Sequence, residues 1–97
     1  MSRNGVNPEA SAEQARILSE LTKGKSVLEI GAGDGCTTFI YAGGAKRVFA
    51  IDPNGKEIGK LMQNAKDKNL GGKITAKKSS LFDLGGGEKY DFALFSF

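Results

Sequence analysis

Nothing in this chain limits its possible folds as tightly as the stretch Val27-Leu28-Glu29-Ile30-Gly31-Ala32-Gly33-Asp34-Gly35. Three apolar residues surround one acid and run directly into glycines at alternate positions. Glycine reaches backbone torsions that a Cβ blocks, and it lets another group approach the main chain closely. Cys36-Thr37-Thr38-Phe39-Ile40-Tyr41-Ala42 follows as a short helix. Strand, glycine turn, helix is the order that a nucleotide-type ligand requires. The start of such a helix offers backbone N–H groups and the positive end of a dipole.

The flanking segments extend this unit on both sides. Asn7-Pro8-Glu9 is a helix start, with Asn as N-cap and Pro at the first helical position. It opens a helix over about residues 8–22, in which Ile17, Leu18 and Leu21 are expected to face the core. Lys23-Gly24 stops it. Ser26 to Ile30 reads as a strand without clean alternation, which suits burial on both faces. Glu29 at its end then needs a partner or a task. Two readings stand: a carboxylate accepting N–H bonds from the glycine loop, or a group that organises a ligand.

Gly43-Gly44 ends the short helix, and Val48-Phe49-Ala50-Ile51 forms a second strand that closes on Asp52-Pro53-Asn54-Gly55. Residues 26–52 are thus one βαβ unit. In a parallel pair the C-terminal ends of neighbouring strands lie side by side, so Asp52 is expected at the rim of the glycine pocket. There it can accept hydrogen bonds from both ribose hydroxyls of an adenosine. The plainer reading has it capping the next helix or turning with Asn54-Gly55.

Asn54 to Asn69 is the longest helix, with Ile58, Leu61, Met62 and Ala65 at the spacing of a buried stripe. Residues 73–77 form a short, polar third strand suited to an edge. Ser79 to Leu84 leads to a glycine tip, Gly85-Gly86-Gly87-Glu88-Lys89. Tyr90 to Phe97 is an aromatic-rich fourth strand.

Composition narrows the chemistry. The 97 residues carry a net charge of +3 and suit one small α/β domain. Lys66, Lys68, Lys73, Lys77 and Lys78 meet only Asp67. They read as a solvated helix end and a lysine-guarded edge strand. A nucleic-acid patch is the sharper alternative, but no aromatic is interleaved with these lysines. The single cysteine, Cys36, excludes a disulfide within the chain and makes a reducing compartment the default. Cys36 reads as a small buried residue on the short helix. Histidine is absent, which removes His-based general bases, Ser-His-Asp triads and His metal sites, and no metal site is expected. No apolar run is long enough to span a membrane, and no secretory leader is visible at the N-terminus. A cytoplasmic location is the expectation.

These pieces together resemble the N-terminal part of a class I S-adenosylmethionine-dependent methyltransferase. Glu29-Ile30-Gly31-Ala32-Gly33-Asp34-Gly35 is similar to the family's E/D-x-G-x-G-x-G signature. Asp52 resembles the acid that ends strand two, and Ser80-Leu81-Phe82-Asp83-Leu84 occupies the place of the adenine-contacting segment. Tyr90-Asp91-Phe92-Ala93-Leu94 resembles strand four. The dinucleotide pattern G-x-G-x-x-G would instead need a glycine at Cys36. A sulfonium cation and an amino acid, unlike a pyrophosphate, also tolerate nearby acids such as Glu29 and Asp34.

The resemblance implies a Rossmann-like three-layer α/β/α fold. Its parallel sheet has the order 3-2-1-4, the first four strands of the family's 3-2-1-4-5-7-6. Residues 1–97 would be one truncated S-adenosylmethionine-binding domain. Gly31, Ala32 and Gly33 would contact the methionine and ribose portions through the backbone, beside Asp34 and Gly35. Glu29 would organise the loop or the methionine ammonium, Asp52 would hold the ribose, and Pro53 would lie against adenine. Ser80, Leu81 and Phe82 would flank the base. Where the family often has an acid for the adenine amino group, this chain has Ser80; Ser80, Asp83 and the backbone are the alternatives.

No catalytic residue is implied, because the family's acceptor-side residues commonly begin after strand four. The activity implied is methyl transfer to an unidentified acceptor; the alternative is a non-catalytic binding or interaction module. Strand four, with Phe92, Phe95 and Phe97, would be an exposed edge. It is expected to pair with a second copy as a homodimer, with a missing C-terminal half, or with another subunit.

Overall fold

The computed structural model describes residues 8–83 and 89–96, with side chains from residue 12 onward except that of Phe82. Asn7 as an N-cap, the glycine tip up to Glu88, and Phe97 lie outside the described residues. The chain runs α1 (Pro8–Thr22), β1 (Ser26–Ile30), α2 (Thr38–Tyr41), β2 (Arg47–Asp52), α3 (Gly55–Asp67), β3 (Ile74–Lys78), a 3-10 turn (Leu81–Asp83) and β4 (Phe92–Phe95). The four strands form one sheet in the order β3-β2-β1-β4, every pair parallel. This is the Rossmann-like order expected from the sequence.

Register sorts the side chains between two faces. Val27, Val48, Ala50 and Ile74 point to one face, where they pack with Tyr41 and Ala42 of α2 and Leu61 and Ala65 of α3. Leu18 of α1 and Phe92 and Leu94 of β4 complete that core. Leu28, Ile30 and Ile51 point to the other face, against Phe49 and Tyr90. All three α-helices thus contribute to the first cluster and none of the described helical residues belongs to the second, so the described residues form two layers of the expected α/β/α arrangement, without its second helical layer. Burial of a side chain such as Leu61 or Ile51, each fully enclosed, contributes about 1.5–3 kcal/mol.

Helix boundaries follow local chemistry. Gly24, at φ +70°, ends the α1 segment in the left-handed region and donates its N–H to the Gly44 carbonyl at 2.8 Å. Asn54 caps α3, its side chain accepting the N–H groups of Lys56 and Glu57.

Three expectations about packing are corrected. On α1 only Leu18 of the predicted trio packs on the core; Ile17 and Leu21 are 43% and 49% exposed. The inward stripe is Ala15, Leu18, Ser19 and Thr22, because Thr22 is small enough to be fully enclosed and returns its hydroxyl to the Leu18 carbonyl at 2.8 Å. On α3, Met62 is 54% exposed. Ile58, Leu61 and Ala65 fill the contact with the sheet. Met62 is turned from them over edge strand β3, bordering a shallow hollow with Ala65, Ile74 and Ala76. Cys36 is exposed and lies in the turn before α2, since the helix begins only at Thr38.

The lysine-rich edge is as read from the sequence for β3, which is a sheet edge bearing Lys77 and Lys78. Two other lysines have structural contacts. Lys73 Nζ donates to the Gly43 carbonyl at 2.8 Å, and Lys68 Nζ lies 5.3 Å from the centre of the Phe39 ring.

Candidate functional site

The glycine loop turns at three positions of positive φ: Gly31 at +78°, Gly33 at +58° and Gly35 at +100°. Each backbone conformation is one that L side chains rarely adopt. Four of the loop's N–H groups, those of Gly31, Ala32, Gly33 and Gly35, are engaged within the protein. Gly31 and Ala32 both donate to the Ile51 carbonyl, at 2.9 and 3.0 Å, and Gly35 donates to the Ala32 carbonyl at 3.1 Å. Asp34 accepts the Cys36 N–H at 3.3 Å. The helix that follows is short, as expected, and is confined to Thr38–Tyr41, so the loop does not present its N–H groups as an open cradle.

Behind the loop, Glu29 is fully buried. One carboxylate oxygen accepts the Thr38 hydroxyl at 2.7 Å and the Tyr41 hydroxyl at 2.6 Å; the other accepts the Ser96 hydroxyl at 2.5 Å. Of the two sequence readings, the first is thus half right: Glu29 is a satisfied structural carboxylate, but its donors are hydroxyls. Three donors offset the cost of burying the charge. Burial, followed by the neighbouring Glu29 charge and its hydrogen bond, raises the Tyr41 hydroxyl far above the usual phenol range. Tyr41 therefore stays a donor throughout the normal pH range. Ser96 was not singled out from sequence; the only signal for it is the β1–β4 pairing, which places it beyond Phe95 and next to Ile30.

Asp52 is half-buried at the end of β2. One oxygen accepts the Gly33 N–H at 2.9 Å and the other accepts the Asn54 N–H at 2.8 Å. The turn with Asn54 and the place at the glycine rim thus hold together. The α3 cap itself is Asn54. Each Asp52 oxygen has a second acceptor position beyond the bond it already makes.

A cleft of about 500 Å³ opens at the C-terminal ends of the strands, lined by Ile30, Gly31, Asp52, Pro53, Ser79, Ser80, Leu81 and Phe95. It collects residues from four separate parts of the chain. Gly31, Asp52, Pro53, Ser80 and Leu81 were expected there. Ile30, Ser79 and Phe95 were not, although the Ile30–Phe95 register brings that pair together. Glu29, Ala32, Gly33, Asp34 and Gly35 lie behind or beside the cleft wall without lining it. The side chain of Phe82 lies outside the described residues. At the adenine-segment position, the Ser80 hydroxyl donates to Asp83 at 2.8 Å, so these two act as one polar unit. Among the described residues, no group of three His, Cys, Asp or Glu side chains stands close enough to hold a metal ion, and no helix is long and apolar enough to cross a membrane.

No family model and no curated protein sequence matches the chain. Solved structures do. A dimethyladenosine transferase from Plasmodium falciparum superposes with a TM-score of 0.76 at 22% identity, covering 94% of this chain and 32% of that one. Coclaurine N-methyltransferase, bound to N-methylheliamine and SAH, gives 0.75 at 23% identity over 98% of this chain and 30% of its own. A putative RNA methyltransferase from Pyrococcus horikoshii gives 0.73 at 20% identity, over 94% and 46%. The chain spans between about a quarter and a half of the length of such structures. Its fold is that of the class I S-adenosylmethionine-dependent methyltransferases, seen here over the first four strands.

Proposed function

We propose that this methyltransferase-fold chain binds S-adenosylmethionine in the cleft at the strand ends and forms the cofactor-binding part of a methyltransferase. The observation that carries the proposal is the meeting of Gly31, Asp52, Pro53, Ser80 and Leu81 around one cleft of about 500 Å³. Residues so far apart in sequence line a common space only because three strands end there together.

The residues suit that ligand. Asp52 offers one open acceptor position on each oxygen for a ribose hydroxyl, while the Gly33 and Asn54 amides fix its plane. A Cβ built at Gly33 would meet nothing within 4 Å, so the backbone there borders open space that a ligand can enter. Pro53 and Leu81 offer apolar surface for a base, with the Ser80–Asp83 pair as its polar neighbour. Glu29 organises the loop from behind. Ala32, Asp34 and Gly35 shape it. A loop whose Gly31, Ala32, Gly33 and Gly35 N–H groups are already engaged and whose neighbours are acids suits a cationic amino-acid ligand better than a pyrophosphate. When bound, S-adenosylmethionine supplies an electrophilic methyl group, and the protein's part is binding and orientation. The acceptor is unassigned, and no residue is given a catalytic role.

A second reading is a non-catalytic binding module that acts through strand β4. It is favoured by Phe95, 56% exposed on the edge strand beside the cleft. Pairing of that edge with a second copy would extend the sheet.

Calorimetric titration with S-adenosylmethionine tests the first reading, with NAD and Asp52→Ala as controls. Saturable binding that NAD does not reproduce and that Asp52→Ala weakens by at least about tenfold is the expected result, since two hydrogen bonds to a charged acceptor are lost. A folded chain that binds neither ligand would overturn it.

A further inference from the structure

The sheet has a second end, opposite the cleft, and parallel topology concentrates cations there. Lys25 precedes β1, Lys46 precedes and Arg47 opens β2, and Lys73 precedes β3. Backbone bonds hold these starts side by side: Lys46 donates its N–H to the Lys25 carbonyl at 2.9 Å, and Val48 to the Lys73 carbonyl at 3.0 Å. Lys23 follows from the end of α1. The acid at this end among the described strand starts, Asp91, already accepts the Ser26 N–H at 3.0 Å. Lys25, Lys46 and Arg47 are exposed.

Aromatic surface adjoins this row. Tyr90, just before β4, stacks on Phe49 of β2, with ring centres 6.2 Å apart and planes at 13°. The two rings, with Arg47, Val48 and Thr75, line a separate hollow of about 150 Å³ on the face that carries no described α-helix. That volume suits one planar group rather than a whole cofactor. Arg47 Nε donates to the Ser26 hydroxyl at 3.2 Å, which anchors the exposed guanidinium at this end of the sheet.

We propose that this end of the sheet is a docking site for single-stranded nucleic acid. The backbone would track Lys25, Lys46, Arg47 and Lys73, and one base would enter the Phe49–Tyr90 hollow. Cations in a row supply the salt-dependent part of such binding, and an aromatic ring beside them supplies stacking. From the sequence alone this partner had only weak support, because the lysines close in sequence have no aromatic among them. Folding builds a different set, in which cations from three strand starts meet an aromatic from a fourth. The site shares no residue with the proposed cofactor cleft, so calorimetry with S-adenosylmethionine on the same variants separates the two proposals.

The test is fluorescence anisotropy of the 97-residue chain with labelled oligouridylate and, in a second arm, oligothymidylate, across a salt series. The expected result is saturable binding at about 50 mM salt. Lys46→Ala/Arg47→Ala should weaken it at least about tenfold and lower the salt slope by about 1.4, the value for two single-strand phosphate contacts. Tyr90→Leu should weaken it about tenfold while leaving the slope unchanged, and Tyr90→Phe should restore it. Lys77→Ala/Lys78→Ala, on the β3 edge away from the row, should change it little. A tighter complex with one arm identifies the sugar the site accepts. Absence of binding in both arms overturns the proposal. So does equal loss in the Lys77/Lys78 variant, an unaltered affinity in Tyr90→Leu, or equal displacement by polyglutamate of matched charge, which would assign the surface to acidic peptides.

Discussion

Glu29 and Ser96 are 67 residues apart in sequence, yet the Ser96 hydroxyl donates to the buried Glu29 carboxylate at 2.5 Å. The same hydroxyl lies 3.1 Å from the Gly31 carbonyl. One side chain after β4 therefore stands between the carboxylate behind the glycine loop and the loop's first residue, its single proton on the shorter contact to Glu29.

That arrangement makes Glu29 a structural keystone of the site. Glu29→Ala would leave the buried Thr38 and Tyr41 hydroxyls without this acceptor and the half-buried Ser96 hydroxyl with the Gly31 carbonyl alone. The expected loss is about 3–5 kcal/mol of folding stability, measured by urea unfolding. Ser96→Ala removes one of three donors and should cost about 1–2 kcal/mol. Equal, small effects from both variants would contradict the network.

Tyr41 gives the network a pH signature. Its hydroxyl titrates far above its ordinary value of 10.0 in the folded protein, because of burial and the adjacent Glu29 charge. The unfolded chain therefore loses this proton at lower pH than the folded one. The associated stability is fully present below about pH 10 and falls as pH rises beyond it. Tyr41→Phe should flatten this alkaline decline in thermal unfolding measured between about pH 9 and 11. An identical decline in the variant would assign it to other groups.

Gly35 is harder to replace than Gly33. Its φ of +100° disfavours any side chain, and a Cβ would run into the Phe39 ring. Gly35→Ala should destabilise by about 2–4 kcal/mol through strain and overpacking together. Gly33→Ala, with nothing near its added Cβ, should cost only the backbone term, about 1–2 kcal/mol. Circular-dichroism melts of the two variants would rank them.

Met62 and Leu21 test the corrected packing. Both are about half exposed. Met62→Lys and Leu21→Lys should each change stability by less than about 0.5 kcal/mol, whereas Leu61→Ala should cost about 2–5 kcal/mol. A large loss in Met62→Lys would return that residue to the core.

The local devices could be read directly from residue types. Asn54 capping α3, Gly24 ending α1 and the three positive-φ glycines depend on neighbours within a few positions, so sequence carries them. The order β3-β2-β1-β4 was also legible, because the glycine turn, the acid at Asp52 and the strand spacing fit one family pattern.

What sequence periodicity left open was the direction of each helix face and the identity of buried partners. The α1 stripe runs through Thr22 rather than Leu21, and α3 overhangs an edge strand at Met62. Those outcomes depend on how far the sheet extends beneath each helix. The hydroxyl partners of Glu29 and the Ile30–Phe95 wall of the cleft come from strands that are distant in sequence and adjacent only through pairing. Residues 27–35 by themselves determined that a strand must turn on glycines. Only the tertiary structure decided which side chains meet there, because side-chain proximity across a parallel sheet is fixed by register, and register is a property of the folded chain.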